Sequence, residues 1–305
     1  MTINILYLNN GVGLTRDANI LQQILVATGH EVRMIQTITD RPVRQHETAD
    51  IAIHLEHSYF RLFSGYNSGV KNIYFPNPEW YHESKWNTTL NKFDVICCKT
   101  HDCYNVFKDR HANVIYTGFT SVDRFDPSVE KIKSYIHAAG KSTAKNTLLV
   151  YRVWNPTFGK IIMLSQCHRL PCKSNILFTD WIGDQELKLF QNRCLIHVCP
   201  SDYEGFGHYI NEARSCSAVI ITTNGAPMNE FVTKDNGFFV ERRGTQKKQI
   251  VQISIISELS LSKAIKQVEQ TSIETLIEMG KKSREMFLSD DKQFKTKLLT
   301  VINNI

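Results

Sequence analysis

The chain has 305 residues, 42% of them hydrophobic and 22% charged, with a formal net charge of +6. Domains of roughly 100–200 residues make two the natural expectation, and the lack of low-complexity tracts excludes a disordered protein. The basic balance suits an anionic substrate or weak attraction to an acidic membrane surface. A nucleic-acid binder would gather its cations into longer runs than Arg242–Arg243 and Lys247–Lys248.

The eight cysteines do not fall into the paired short spacings of a zinc site. Cys98 with Cys103 and Cys167 with Cys172 come nearest, and no His follows at a ligand interval. Several lie in apolar runs, where Cys acts as a small hydrophobe, and unpaired cysteines suit a reducing compartment. Met1-Thr-Ile-Asn-Ile-Leu-Tyr-Leu8 lacks the basic start and cleavage site of a signal peptide. No stretch approaches the roughly 18 apolar residues of a membrane span. A cytoplasmic location is expected, and the sequon at Asn87-Thr-Thr is read as chance.

The first half alternates strands and helices. Ile3–Leu8 is an apolar run leading into Asn10-Gly-Val-Gly-Leu-Thr15, and a helix is expected from about Asp17. Ile20, Leu21, Ile24 and Leu25 recur along it at helical spacing, and Gly29 ends it. Strands are predicted at 31–36, 50–55, 72–75, 94–99 and 113–116. Strand, glycine turn, helix and strand again is the signature of a parallel sheet. Gly118, Asp123, Asp126 and Pro127 interrupt the periodicity and mark a boundary. Beyond it, Ser134–Ala139 reads as a strand before Gly140-Lys-Ser, and a helix follows from about Asn146. Asn175–Phe178, Leu195–Cys199 and Ala218–Thr223 read as buried parallel strands. Residues 241–260 are ambiguous. Thr271-Ser-Ile-Glu274 has the form of a capping box opening a helix through Phe287, with a separate last helix carrying Phe294, Leu298, Val301 and Ile302. The pattern predicts an α/β protein of two doubly wound, Rossmann-like domains facing across a cleft. They are placed at 1–125 and 126–288, with a C-terminal helix at 289–305 that could pack back on the first. Ligands in such sheets bind beyond the carboxyl ends of the strands.

The most informative string is Pro200-Ser-Asp-Tyr-Glu-Gly-Phe-Gly-His-Tyr-Ile-Asn-Glu212. A buried strand ends, a glycine turn follows, and a helix begins near Gly207 or His208. The free N–H groups of that helix start form an anion site, and glycine lets a phosphate approach the backbone. Glu204 lies in the turn beside it. Glu212 lies about five residues into the helix, where an acidic side chain can reach a ribose diol. With Gly205-Phe-Gly207 directly after the first glutamate, and seven residues between the two, this string resembles the E-x7-E motif of retaining GT-B glycosyltransferases, family 4 in particular. Asn224-Gly-Ala-Pro-Met-Asn-Glu230 resembles that family's downstream Gly-x-x-Pro-Glu segment, with Met-Asn interposed.

The resemblance implies GT-B architecture and transfer of a hexose from a UDP- or GDP-sugar to a glycan, lipid or protein-linked acceptor, with no cofactor and no metal. It makes Glu204 the catalytic candidate and Lys141, Lys145, Gly205, Phe206, Gly207, Glu212 and Gly13 the donor-binding candidates. Lys141 and Lys145 lie between a strand and a helix, where each can supply a compact positive charge to a diphosphate. Lys141 stands where the family carries an Arg. The same Gly-Lys-Ser is not a P-loop, because Tyr135 occupies the place of its first glycine, and Arg16 replaces the third glycine of a dinucleotide fingerprint. Trp181 or Ile182 would meet the base. In the first domain, the unusual loop Phe75-Pro-Asn-Pro-Glu-Trp-Tyr-His82 and the histidines His54, His57, His82 and His101 are candidates for the acceptor side. A non-catalytic nucleotide-sugar-binding subunit and a sugar-nucleotide epimerase are the alternatives.

Overall fold

A computed structural model describes residues 1–11, 13–37, 49–60 and 69–305. Two compact units divide the chain: Met1–Ser121 with Lys248–Val251 and Asp290–Ile305, and Val122–Lys247 with Gln252–Ser289.

The first unit contains β1 (Thr2–Leu8), α1 (Gly13–Ala27), β2 (Glu31–Thr37), β3 (Ile51–Leu55) and β4 (Lys71–Phe75). It continues with α2 (Glu83–Leu90), β5 (Val95–Cys98), α3 (His101–Phe107) and β6 (Val114–Tyr116). The strands form one parallel sheet in the order β2-β1-β3-β4-β5-β6. Every residue of β3 is buried, as a strand covered on both faces requires. α1 begins at Gly13, earlier than expected, and buries Leu14 and Asp17. It ends as expected at Gly29, whose φ of +86° lets its N–H reach Val26 while His30 N–H reaches Leu25.

The second unit contains β7 (Ile132–Gly140), α4 (Thr147–Val153), β8 (Ile161–Ser165), β9 (Ile176–Thr179), α5 (Asp184–Arg193) and β10 (Cys194–Cys199). It then adds α6 (His208–Ser215), β11 (Val219–Thr223), β12 (Gly237–Val240), all but the end residues Lys248 and Val251 of β13 (Arg242–Lys248) and β14 (Val251–Ile256), and α7 (Glu258–Gln270). Its parallel sheet runs β12-β11-β10-β7-β8-β9. The core joins Tyr135, Ile196, Val198, Val219 and Ile221 of the sheet to Val150, Leu261, Ile265 and Leu276 of the helices.

The last helix, α8 (Ile273–Asn304), corrects two expectations. It is one helix of 32 residues rather than two. Gly280 does not break it: a Cβ there would lie 2.4 Å from the Ser217 carbonyl, so the glycine permits close packing against that turn. Its cap is also shifted by one residue. Ser272 Oγ accepts the Thr275 N–H at 3.2 Å, whereas Thr271 closes α7 through its bond to the Gln267 carbonyl. The ambiguous 241–260 region resolves into the two-stranded ribbon β13–β14 and the start of α7, capped by Ser257 and Ser260. Strands β8 and β12 and helix α5 were not expected. Among the described residues, no helix is long and apolar enough to cross a membrane.

Candidate functional site

In the second unit the chain starts at β7, winds outward to β9, then returns to place β10 against β7 and winds the other way. The crevice beyond β7 and β10 is therefore the topological switch point, where neighbouring loops diverge and leave room for a ligand. The loops leaving it are 140–146 and 200–207, the two strings singled out in the sequence. They are stitched together. Asp202 N–H donates to the Ala144 carbonyl at 2.9 Å, and Asn146 Nδ2 donates to the Pro200 carbonyl and to Asp202 Oδ1 at 2.8 and 2.7 Å. Asn146 and Gly140 hold φ of +56° and +58°, which folds the loop back on itself.

This stitching brings Lys145 and Glu204 into one network. The Lys145 ammonium lies 3.8 Å from the centroid of the Tyr209 ring, a cation–π contact. The Tyr209 hydroxyl bonds Ser201 Oγ, which donates to Glu204 Oε1 at 2.5 Å. Burial raises the Tyr209 pKa well above its ordinary value, so the phenol keeps its proton and is the donor to Ser201. Each proton thus points along the chain toward Glu204, whose carboxylate is held in one orientation. His137 sits beneath on β7, between the Val198 carbonyl and Thr147 Oγ1. Burial lowers its pKa to about 4, and the Lys145 charge acts in the same direction, so it is a neutral framework residue.

Gly207 is the N-cap of α6, with φ +86° and no side-chain cap. A Cβ there would come within 3.6 Å of Glu204 Cβ and Cγ, and the left-handed backbone already selects glycine. The helix start is thus presented beside Glu204 without an acidic residue in its first turn, which suits an anion. Glu212 is buried on the same helix, and Gln191 Nε2 on α5 donates to its Oε2 at 2.9 Å. Gly205 and Phe206 are buried in the turn. The Phe206 ring lies edge-on to His208 and Phe231, so it packs the turn against the loop after β11 rather than offering an exposed face. Lys141 is exposed at the start of the 140–146 loop. The two expected base-side residues part company: Trp181 is 69% exposed, whereas Ile182 packs with Ile136, Leu164 and Cys194.

Gly13 belongs to the first unit, where it opens α1 with open space around it. Its neighbour Val12 lies outside the described residues. The turn before it is closed by Asn9 and Thr15, both bonded to the Gly11 N–H. The first unit also holds a buried polar group that the sequence did not reveal. Lys99 Nζ lies 2.5 Å from Asp17 Oδ2 and 3.0 Å from Asn77 Oδ1, and Asn77 Nδ2 donates to Glu56 Oε2 at 2.7 Å. Glu56 has a φ of +64° at the carboxyl end of β3, and burial raises its pKa. Of the candidate histidines, His54 is fully buried, bonded to Asn72 and the Tyr59 N–H, and its pKa falls to about 3 through burial. That makes it a core residue. His57 lies 3.3 Å from Glu56, His82 precedes α2, and His101 stacks on Tyr116. Ser201, Tyr209, Asn146 and Gln191 escaped the sequence reading because their types are common in structural roles. Among the described residues, no group of three or more His, Cys, Asp or Glu is placed to hold a metal ion.

Residues 163–283 match the family model for Glycosyl transferases group 1. Over 115 residues the chain is 28% identical to the serotype-specific mannosyltransferase WbdA of Escherichia coli, a match that spans 36% of this chain but 14% of that protein's length. The fold is similar to a sucrose-phosphate synthase from Thermosynechococcus elongatus, with a TM-score of 0.72 at 11% identity over 99% of this chain and 98% of that one. It is similar also to Anabaena HepE in complex with UDP, with a TM-score of 0.71 at 14% identity over 100% of both chains. At such identities the structural likeness speaks for the fold, and the family model speaks for the domain that carries Glu204 and Glu212. Residues 163–283 are thus similar to the glycosyl transferases group 1 family, and the chain has the GT-B fold of two Rossmann-like α/β domains.

Proposed function

We propose that this chain is a retaining glycosyltransferase that moves a hexose from a UDP- or GDP-sugar to a hydroxyl of a glycan, lipid or protein-linked acceptor, without a metal ion. The observation that carries the reading is the Lys145–Tyr209–Ser201–Glu204 network beside the uncapped start of α6, at the switch point of the sheet. Sugar transfer breaks the bond from the anomeric carbon to the diphosphate and forms one to the acceptor oxygen, through an oxocarbenium-like transition state. Negative charge then grows on the departing diphosphate. Lys141, Lys145 and the α6 N–H groups supply fixed positive charge where it develops. Glu204 accepts hydrogen bonds from the sugar hydroxyls and places the anomeric carbon, and Glu212 takes the ribose diol. That HepE was solved with UDP, and that WbdA is a mannosyltransferase, supports this class of donor.

The test is release of nucleoside diphosphate from a panel of UDP- and GDP-sugars, with and without a sugar acceptor and with chelator present throughout. Acceptor-dependent release that disappears in Glu204→Ala, with the product anomer matching the donor, is expected. Donor binding with no release under any acceptor would establish a non-catalytic binding subunit instead. Conversion of the donor sugar without acceptor would establish an epimerase.

A further inference from the structure

Glu212 does not stand alone. Gln191, 1% exposed on α5, donates from Nε2 to Glu212 Oε2 at 2.9 Å. Its Oε1 accepts from Arg124 Nε at 2.5 Å. Arg124, also buried, is anchored in turn by Asp184 Oδ1 at 3.0 Å and by the Asp184 carbonyl at 3.0 Å. All four residues lie in the second unit. The chemistry fixes which way the amide points. A guanidinium only donates and a carboxylate only accepts, so a flipped Gln191 would set carbonyl against carboxylate and NH₂ against guanidinium. The amide therefore converts the position of Arg124 into an orientation of the Glu212 carboxylate. The Gln191 backbone is itself held, its carbonyl bonded to the ring of His197 at 2.9 Å.

We infer that Gln191 is a positioning residue that aims Glu212 at the 2′- and 3′-hydroxyls of the donor ribose, and so sets the preference for ribo- over 2′-deoxynucleotides. The inference rests on the reading of Glu212 as the ribose-binding residue. A carboxylate accepts two neighbouring hydroxyls only when its plane is turned to meet both. With the amide in place that orientation exists before the ligand arrives, and binding need not stop the carboxylate from turning. A purely structural Gln191 would support the fold without favouring one sugar over the other.

The experiment compares the Kd of UDP with that of 2′-deoxy-UDP, and of GDP with that of 2′-deoxy-GDP, by calorimetry on the full chain. Wild-type protein is expected to prefer the ribonucleotide of its own base by about tenfold or more, the scale of a hydrogen bond to a charged group. Gln191→Met, close in size and unable to bond either neighbour, is expected to bring that ratio to within about twofold of unity, with diphosphate binding otherwise retained. Gln191→Glu provides a second variant. It leaves Arg124 its acceptor, yet sets a carboxylate against Glu212; the ratio is expected to fall there also. A folded Gln191→Met, or a folded Gln191→Glu, that keeps the wild-type ratio overturns the inference alone. Wild-type protein that binds none of the four nucleotides, or binds ribo- and deoxy-forms equally, overturns the ribose assignment of Glu212 and this inference with it.

Discussion

Ser201 lets the role of the Glu204 network be measured. Its hydroxyl receives the Tyr209 proton and donates to Glu204 at 2.5 Å, and both Ser201 and Tyr209 are buried. Ser201→Ala removes two bonds at once, with different consequences. The lost bond to the Glu204 carboxylate is one to a charged group, worth about 1.5–3 kcal/mol. If Glu204 acts in the transition state, that corresponds to a drop in transfer rate of about ten- to a hundredfold. The other consequence is a buried Tyr209 hydroxyl without a partner, which costs about 1–3 kcal/mol of stability. For a domain of this size, at about 2–4 °C per kcal/mol, the melting temperature should fall by about 2–12 °C. Adding Tyr209→Phe removes the orphaned hydroxyl while keeping the ring under Lys145. The double variant should therefore recover most of the lost melting temperature and none of the lost rate. Thermal unfolding and initial transfer rates on the four proteins of the cycle separate the two effects. Ser201→Ala with wild-type rate, or a double variant whose rate recovers along with its stability, would refute the argument that the network acts by holding Glu204.

Lys145→Met should weaken UDP or GDP binding by about tenfold and nucleoside binding hardly at all, since a compact charge acts on phosphate; calorimetry with both ligands checks this, and equal losses would assign Lys145 to the fold. Gly237→Ala should destabilise by about 1–3 kcal/mol, because its Cβ would lie 2.3 Å from the Ile220 carbonyl in the neighbouring strand, and an unchanged melting temperature would contradict that packing. Buried His54, His137 and His197 have pKa values lowered to about 3, 4 and 3, chiefly by burial, so they stay neutral in the folded chain while they take up protons once unfolded. The unfolded chain then binds more protons below pH ~6.5, and stability should fall with pH from there by about 1.4 kcal/mol per unit for each histidine. Denaturant titrations between pH 7.5 and 5 test this. Glu56 and Asp202, with pKa values raised by burial, act in the opposite direction as the pH falls through their folded values, and a flat profile down to pH 5 would refute the assignment of the histidines as neutral.

Much of the architecture was legible because its signals are local. Apolar runs such as Leu195–Cys199 and Ile51–Leu55 can be nothing but covered strands in an alternating α/β chain, and Gly29 ends α1 through a conformation that few other residues adopt. Errors came where a local signal had a non-local meaning. The stripe of Phe294, Leu298, Val301 and Ile302 reads as a last helix of its own, yet α8 runs unbroken from Ile273 to Asn304. Thr271 and Glu274 match a capping box, yet Thr271 is already engaged at the end of α7, so the cap moves to Ser272. Strand β12, at Gly237–Val240, carries too short a run to stand out against its surroundings.

The candidate site divides along the same line. Glu204, Gly207 and Glu212 stand on one turn and the helix after it, so their relation is written in a single stretch of chain and can be read from spacing. Lys145 joins Glu204 only because β7 and β10, whose paired residues Ile136 and His197 are 61 apart in the chain, are neighbours at the switch point of the sheet. The partners that orient the glutamates depend wholly on that return of the chain. Gln191 reaches Glu212 across 21 residues, and Arg124 reaches Gln191 across 67. Hydrogen bonds between buried side chains answer to distance in space, and no periodicity or motif records which glutamine the fold will bring beside which glutamate.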